Sequence, residues 1–186
     1  MTLTQKTIKL QERAHGRIES VGAAHERPAI GASYQAKFKI PCAVLGIHTT
    51  ADQLTGIEFL PLNERTLAPR HALAREVCAQ IAAYVRDADF RFDVPLLLSG
   101  TLHQMRLWQA LREIPRGDAR TYGALAQQLG SSPRAIGRAC GDNPIPLIIP
   151  CHRVVAKNGP GGFMHHASGA PLAIKDWLLR HEGWWR

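Results

Sequence analysis

Between Asn143 and Val155 the chain carries an apolar run interrupted by Pro144, Pro146 and Pro150 and closed by Cys151, His152 and Arg153. These prolines constrain the fold more than any other feature of the sequence. Pro146 and Pro150 lack N–H donors, which excludes a central place in a regular ladder. The length and the β-branched content of the run suit a short buried extended segment. It reads as a rigid rod that sets one cysteine in one place. A thiolate is the competent nucleophile, and a free cysteine with a pKa of about 8.5 needs a nearby base or positive charge to form it. His152 and Arg153 follow Cys151 directly. Neighbours on an extended backbone point to opposite faces, so a bridging water is one way for the imidazole to reach the thiol. The competing reading is a cysteine that acts as a small buried hydrophobe at the end of an apolar run.

Composition narrows the class. The chain has 186 residues, 45% hydrophobic and 20% charged, as expected for one or two globular domains. Its 23 basic and 15 acidic residues leave a net charge of +8, which favours a polyanionic partner. The four cysteines, at 42, 78, 140 and 151, form no C-x-x-C pair, so neither a zinc ribbon nor a redox motif is indicated. The first residues lack the apolar core of a signal peptide, and no apolar stretch is long enough to span a membrane. The expectation is therefore a cytoplasmic chain with reduced thiols and no membrane partner.

Read in order, residues 1 to about 40 suggest a loosely ordered start. Cys42 to Thr49 and Leu54 to Leu60 read as a hairpin around a turn at Ala51, Asp52 and Gln53. Arg70 to Asp87 is helical, with Leu73, Val77, Ile81 and Val85 on its apolar stripe and His71 and Cys78 in packing or surface roles. Val94 to Leu98 is a candidate strand interrupted by Pro95, and the domain boundary is placed at 92/93. Thr101 and Gln104 form a capping box for a helix to about Ile114, with Leu102, Met105, Trp108 and Leu111 inward. Thr121 caps Tyr122–Leu129, and Ser132 and Pro133 open a helix to about Gly141. Two short helices joined by a tight turn make a helix-turn-helix candidate. Gly137 lies inside the second helix at a cost of about 1 kcal/mol against Ala. Close approach of a ligand groove or tight internal packing would each explain it. Arg134 and Arg138 share one face of that helix. A loop rich in Gly and His, containing His165 and His166, leads to a last helix opened by Pro171 and ended near Gly183.

Asn143–Val155 resembles the active-site signature of the O6-alkylguanine-DNA alkyltransferases (methylated-DNA–protein-cysteine methyltransferases). The similarity runs from Trp108 to Gly183, through Arg120–Ala126, Pro133–Ala139 and Lys175–Gly183, in the family's order. It implies an α+β fold: an N-terminal α/β domain, 1–92, with a small antiparallel sheet, and a mostly helical C-terminal domain, 93–186, with a winged-helix-like helix-turn-helix. It implies transfer of an alkyl group from guanine O6 in duplex DNA to Cys151, with nucleotide flipping and irreversible inactivation. By position, His152 and Glu182 match the relay that deprotonates the thiol, and Asn143 the tie between helix-turn-helix and active-site segment. Tyr122 matches the residue that turns the target phosphate and assists guanine protonation. Arg134 matches a finger entering through the minor groove, with Ala135, Gly137 and Arg138 beside it. Pro146, Cys140, Val154, Phe163, Met164 and Ser168 are placed around the substrate pocket. The loop from Pro160 to Pro171 is longer than in compact members, so Ser168 and the backbone near Met164 stand as alternative donors to O6. Some members hold zinc in the N-terminal part. No matching ligand set occurs here, so neither metal nor cofactor is expected, and the protein is expected to act as a monomer. The alternatives are a non-catalytic sensor of alkylated DNA, against which Cys151 argues, and a Cys–His hydrolase, which leaves the arginine-bearing helix unexplained.

Overall fold

The computed structural model describes residues 18–20 and 33–184. The expected loose start falls mostly on residues 1–17 and 21–32, outside the described residues. Its last part is corrected, because Ala36–Ile40 forms strand β2. The strand escaped notice because its burial alternates weakly: Ala36 and Ile40 are buried, while Lys37 and Phe38 are only half-buried. β2 turns directly into β3 (Ala43–Thr49), and β3 into β4 (Leu54–Leu60), giving an antiparallel meander in which Leu45 faces both Phe38 and Phe59. β3 is buried from Ala43 to His48, as its nearly continuous apolar run requires of a strand covered on both faces. β5 (Leu96–Leu98) joins parallel to β4 and to β1 (Ile18–Ser20), completing the order β1-β5-β4-β3-β2. Pro95 precedes the ladder and needs no donor there; its carbonyl accepts from Leu54 N at 2.8 Å.

Helix α1 (Ala72–Arg86) packs on this sheet. His71 caps it, with Ala74 N donating to the imidazole. Its buried face is Ala74, Val77, Cys78, Ile81 and Tyr84, whereas the expected Leu73 and Val85 lie half-buried at its edges. A stripe read every four residues drifts around a helix of 3.6 residues per turn.

Thr101 and Gln104 close the capping box that starts α2 (Leu102–Arg112). Leu107, Trp108 and Leu111 face the core, but Leu102 is 77% exposed, because the first helical residue points away from the buried stripe. Trp108 donates Nε1–H to Ala139 O at 3.0 Å, and its ring lies where a Cβ at Gly100 would come within 2.9 Å. That approach makes residue 100 a glycine.

Strand β6 (Arg120–Thr121) leads into α3 (Tyr122–Leu129), capped by Thr121 and ended by Gly130 at φ +61°. Ser132 caps α4 (Pro133–Gly141), so the helix-turn-helix is formed. β6 pairs with β7 (Val154–Val155) in parallel, which ties the start of α3 to the segment carrying Cys151.

The expected extended rod is not a strand. Ile149 N returns to Ile145 O at 3.0 Å, Leu147 takes φ +80°, and Cys151–Arg153 form one 3-10 turn. The prolines withhold ladder donors, so the segment folds back on itself and buries Ile145, Leu147 and Ile149. α5 (Ala170–His181) closes the fold over this turn, and Gly183 follows at φ +79°.

Candidate active site

Cys151 lies in the first position of the 3-10 turn and is 3% exposed. Asn143 fixes the turn from one side: its Nδ2 donates to Ile149 O at 2.8 Å, and its Oδ1 accepts from Ile145 N at 3.1 Å. Burial pushes the Cys151 thiol up; a hydrogen bond from the Asn143 side chain and the Lys175 ammonium oppose it. Lys175 is fully buried and donates to Val154 O at 2.6 Å and Gly162 O at 2.9 Å. Burial lowers it to about 8, and the two thiols Cys151 and Cys140 pull the other way. It is therefore still mostly an ammonium at neutral pH, and its charge acts on both thiols.

His152 and Glu182 are buried together, with Nε2 at 3.0 Å from Oε1. Arg153 binds the same carboxylate by Nε to Oε2 and Nη2 to Oε1, both at 2.8 Å. Its third nitrogen donates to Ile114 O. Burial alone would raise the Glu182 carboxyl. The His152 and Arg153 contacts outweigh it and hold the group well below the usual carboxylate range. His152 is lowered, first by burial and against the pull of Glu182. A neutral imidazole beside a carboxylate carries its proton on the facing nitrogen, Nε2. The buried Nδ1 then presents a lone pair and has no hydrogen-bond partner among the described residues. An imidazole in this form can accept a proton at Nδ1.

A cavity of about 300 Å³ opens above Cys151. Tyr122, Pro133, Gly137, Cys140 and Gly141 form one wall and the loop Gly162–Ala167 the other. Tyr122 donates to Gly162 O at 3.1 Å, and burial raises its phenol. The loop is built rather than slack. Phe163 and His166 exchange both backbone hydrogen bonds at 2.9 Å, Met164 and His165 hold positive φ, and His165 Nε2 meets Asp142 Oδ1 at 3.1 Å. Phe163 is buried, with its ring 5.9 Å from that of Phe59 on β4.

The helical half of the chain, residues 103–184, matches the family model described as 6-O-methylguanine DNA methyltransferase, DNA binding domain. A methylated-DNA–protein-cysteine methyltransferase of Methanosarcina acetivorans is 36% identical over 157 residues, covering 81% of this chain and 98% of that protein. The chain belongs to the methylated-DNA–protein-cysteine methyltransferase family. A Salmonella typhimurium methyltransferase of the same name is 49% identical over 87 residues, but that match spans 46% of this chain and 48% of the relative. Among solved structures, the O6-methylguanine methyltransferase of Mycobacterium tuberculosis has a TM-score of 0.66 at 32% identity, covering 79% of this chain and 90% of that one. Mycobacterium tuberculosis OGT in complex with DNA gives 0.64 at 34% identity over 79% and 91%.

For a methyltransferase of this family the placement of the remaining expected residues is informative. Arg134 and Arg138 are exposed on the outer face of α4 and make no ion pair with a described residue. Ala135 is half-buried between them. A Cβ at Gly137 would meet nothing nearer than the Tyr122 ring at 3.8 Å, so packing inside the protein does not require glycine there. Cys140, Phe163 and Met164 line the cavity, whereas Pro146, Val154 and Ser168 do not. Pro146 and Val154 are buried behind it, and Ser168 is exposed on the loop beyond it. The Val154 carbonyl is engaged by Lys175. Among the described residues no group of His, Cys, Asp and Glu could hold a metal ion, and no helix is long and apolar enough to cross a membrane.

Two members of the site escaped sequence reasoning. Lys175 stands at the same spacing as Ile174, Leu178 and Leu179, and a lysine on a buried stripe was the available signal. Tyr84 gave no signal, because its partner lies 98 residues away.

Proposed function

We propose that this chain repairs alkylated DNA by direct reversal, moving the alkyl group from O6 of guanine to Cys151 in a single turnover. The observation that carries the reading is the buried thiol on the floor of a base-sized cavity, beside a His152–Glu182 pair with a free Nδ1. A group on O6 is hidden inside the duplex, so the nucleotide must be extruded before it can meet the thiol. Arg134 is suited to enter by the minor groove and fill the vacated space, with Ala135 and Gly137 keeping the helix surface low and Arg138 on the phosphates. Tyr122, at the cavity mouth, is suited to turn the target phosphate.

The chemistry then balances. The thiol proton passes through a water to His152 Nδ1, while Nε2–H stays on Glu182. The sulfur attacks the alkyl carbon in line, the C–S bond forms as the C–O6 bond breaks, and the electron pair stays with the guanine. The guanine anion takes a proton from the Tyr122 hydroxyl, and solvent carries the proton from the His152 imidazolium back to the phenolate, which leaves unmodified guanine, a neutral imidazole and an intact phenol. The thioether is inert, so the protein is consumed. Asn143 and Lys175 favour the thiolate against the cost of its burial.

The sheet includes Leu96–Leu98, so we place the division between the two halves at Ser99–Thr101 rather than at 92/93. We take the acting species to be a cytoplasmic monomer. The test is intact-protein mass after incubation with a duplex carrying one O6-methylguanine, followed by peptide mapping. One methyl group on Cys151, with stoichiometric loss of the lesion and no gain in Cys151→Ala, is expected. Tight lesion binding without mass change would replace this reading with a sensor.

A further inference from the structure

The relay needs Glu182 only as the partner of His152, yet a group from the other half of the molecule meets the same carboxylate. Tyr84, on α1, is 2% exposed and donates its hydroxyl to Glu182 Oε1 at 2.9 Å. That oxygen also receives His152 Nε2 at 3.0 Å and Arg153 Nη2 at 2.8 Å. Among the described residues Oε1 therefore carries three donors, and the one from the N-terminal half is the Tyr84 hydroxyl.

We propose that Tyr84 is a positioning residue for alkyl transfer: its hydroxyl lets the N-terminal half hold Glu182 as a fixed, acceptor-only anion, so that His152 keeps its proton on Nε2 and offers Nδ1 toward the thiol. This rests on Cys151 being the alkyl acceptor. A proton passed from Nε2 to Oε1 would turn an acceptor into a donor facing two other donors, which a buried site disfavours. The phenol stays protonated as the arrangement requires, because burial and then Glu182 push it up. Both halves fix the ring. Phe92 lies 5.4 Å away, the His181 ring stands edge-on at 5.0 Å, and His181 Nε2 meets the Tyr84 carbonyl at 2.8 Å. The other ionisable groups facing this cluster are Arg153, Arg116 on the Glu182 carbonyl, Lys175, and the thiols of Cys42 and Cys151. None of these replaces the hydroxyl.

Tyr84→Phe keeps the ring and removes one of three donors. The carboxylate becomes a stronger acceptor, so His152 becomes more basic; Oε1 is also held less firmly in line. The experiment follows the His152 imidazole by NMR titration and the single-turnover transfer rate across pH. In Tyr84→Phe both the imidazole titration and the acid limb of the rate should move up by about half to one pH unit. Transfer at pH 7 should fall by about three- to tenfold, with lesion-duplex affinity within about twofold. Phe92→Leu, which loosens the ring packing alone, should lower Tm without moving either curve. The proposal is overturned if Tyr84→Phe leaves both curves in place, or if Phe92→Leu shifts them as far. Should the wild-type chain place no methyl on Cys151, the transfer reading falls by itself, and the imidazole titration still decides the role of Tyr84.

Discussion

Glu182→Gln is the change whose consequence follows most directly from the geometry. The carboxylate accepts four hydrogen bonds, from Tyr84, His152 and two nitrogens of Arg153. A glutamine of the same shape offers one oxygen and turns two N–H donors toward groups that are themselves donors. It also leaves the Arg153 guanidinium without its counter-charge. Breaking a buried pair by removing one partner costs about 3–5 kcal/mol, out of a total stability of about 5–15 kcal/mol. For a chain of this size each kcal/mol moves Tm by about 2–4 °C, so a fall of roughly 6–20 °C is expected at pH 7. The sign with pH follows from linkage. The folded carboxyl sits below its unfolded value, so its contribution is complete above about pH 4.3 and drains away as pH falls through the folded value. The gap in Tm between wild type and Glu182→Gln should therefore be widest near neutrality and narrow on acidification below about pH 4. Thermal unfolding followed by circular dichroism at three pH values measures it. A variant within 2 °C of wild type at pH 7, or a gap that ignores acid, would refute the picture of Glu182 as a paired buried anion.

Other expected outcomes follow from single contacts. Arg134→Ala should slow methyl transfer from duplex DNA by at least about tenfold while sparing transfer from the free base, measured by single-turnover kinetics; equal losses would remove its role in the duplex. Gly137→Ala should leave Tm unchanged or raise it, since the new Cβ stands 3.8 Å from Tyr122 and alanine gains about 1 kcal/mol of helix propensity. The same variant should weaken lesion-duplex binding in a fluorescence titration if the helix surface meets a groove. Trp108→Phe should cost about 1–3 kcal/mol in denaturant unfolding, because it strands the buried Ala139 carbonyl.

Much of the fold was legible wherever local chemistry decides. Thr101 with Gln104, Thr121, and Ser132 with Pro133 each mark a helix start, because a cap is satisfied within three residues of itself. The β3–β4 hairpin follows from two apolar runs around a polar turn. β2 and the exposure of Leu102 were not legible, since which side of an element is covered depends on what lies across from it. The same limit applies to Asn143–Val155. Its prolines ruled out a central strand, but they could not say that the segment would fold back at Leu147 and end in a turn.

By itself the sequence determined the candidate nucleophile, the residues flanking it and the helix-turn-helix, because these depend on residue type and on spacing along a few turns of chain. Tertiary structure alone decided the electrostatics of the site. Glu182 reaches His152 across 30 residues and Tyr84 across 98, and Lys175 reaches Val154 across 21. A carboxylate is held ionised, an imidazole neutral and a lysine buried only when such distant groups are brought within about 3 Å of one another and shielded from water, where a charge needs its partners.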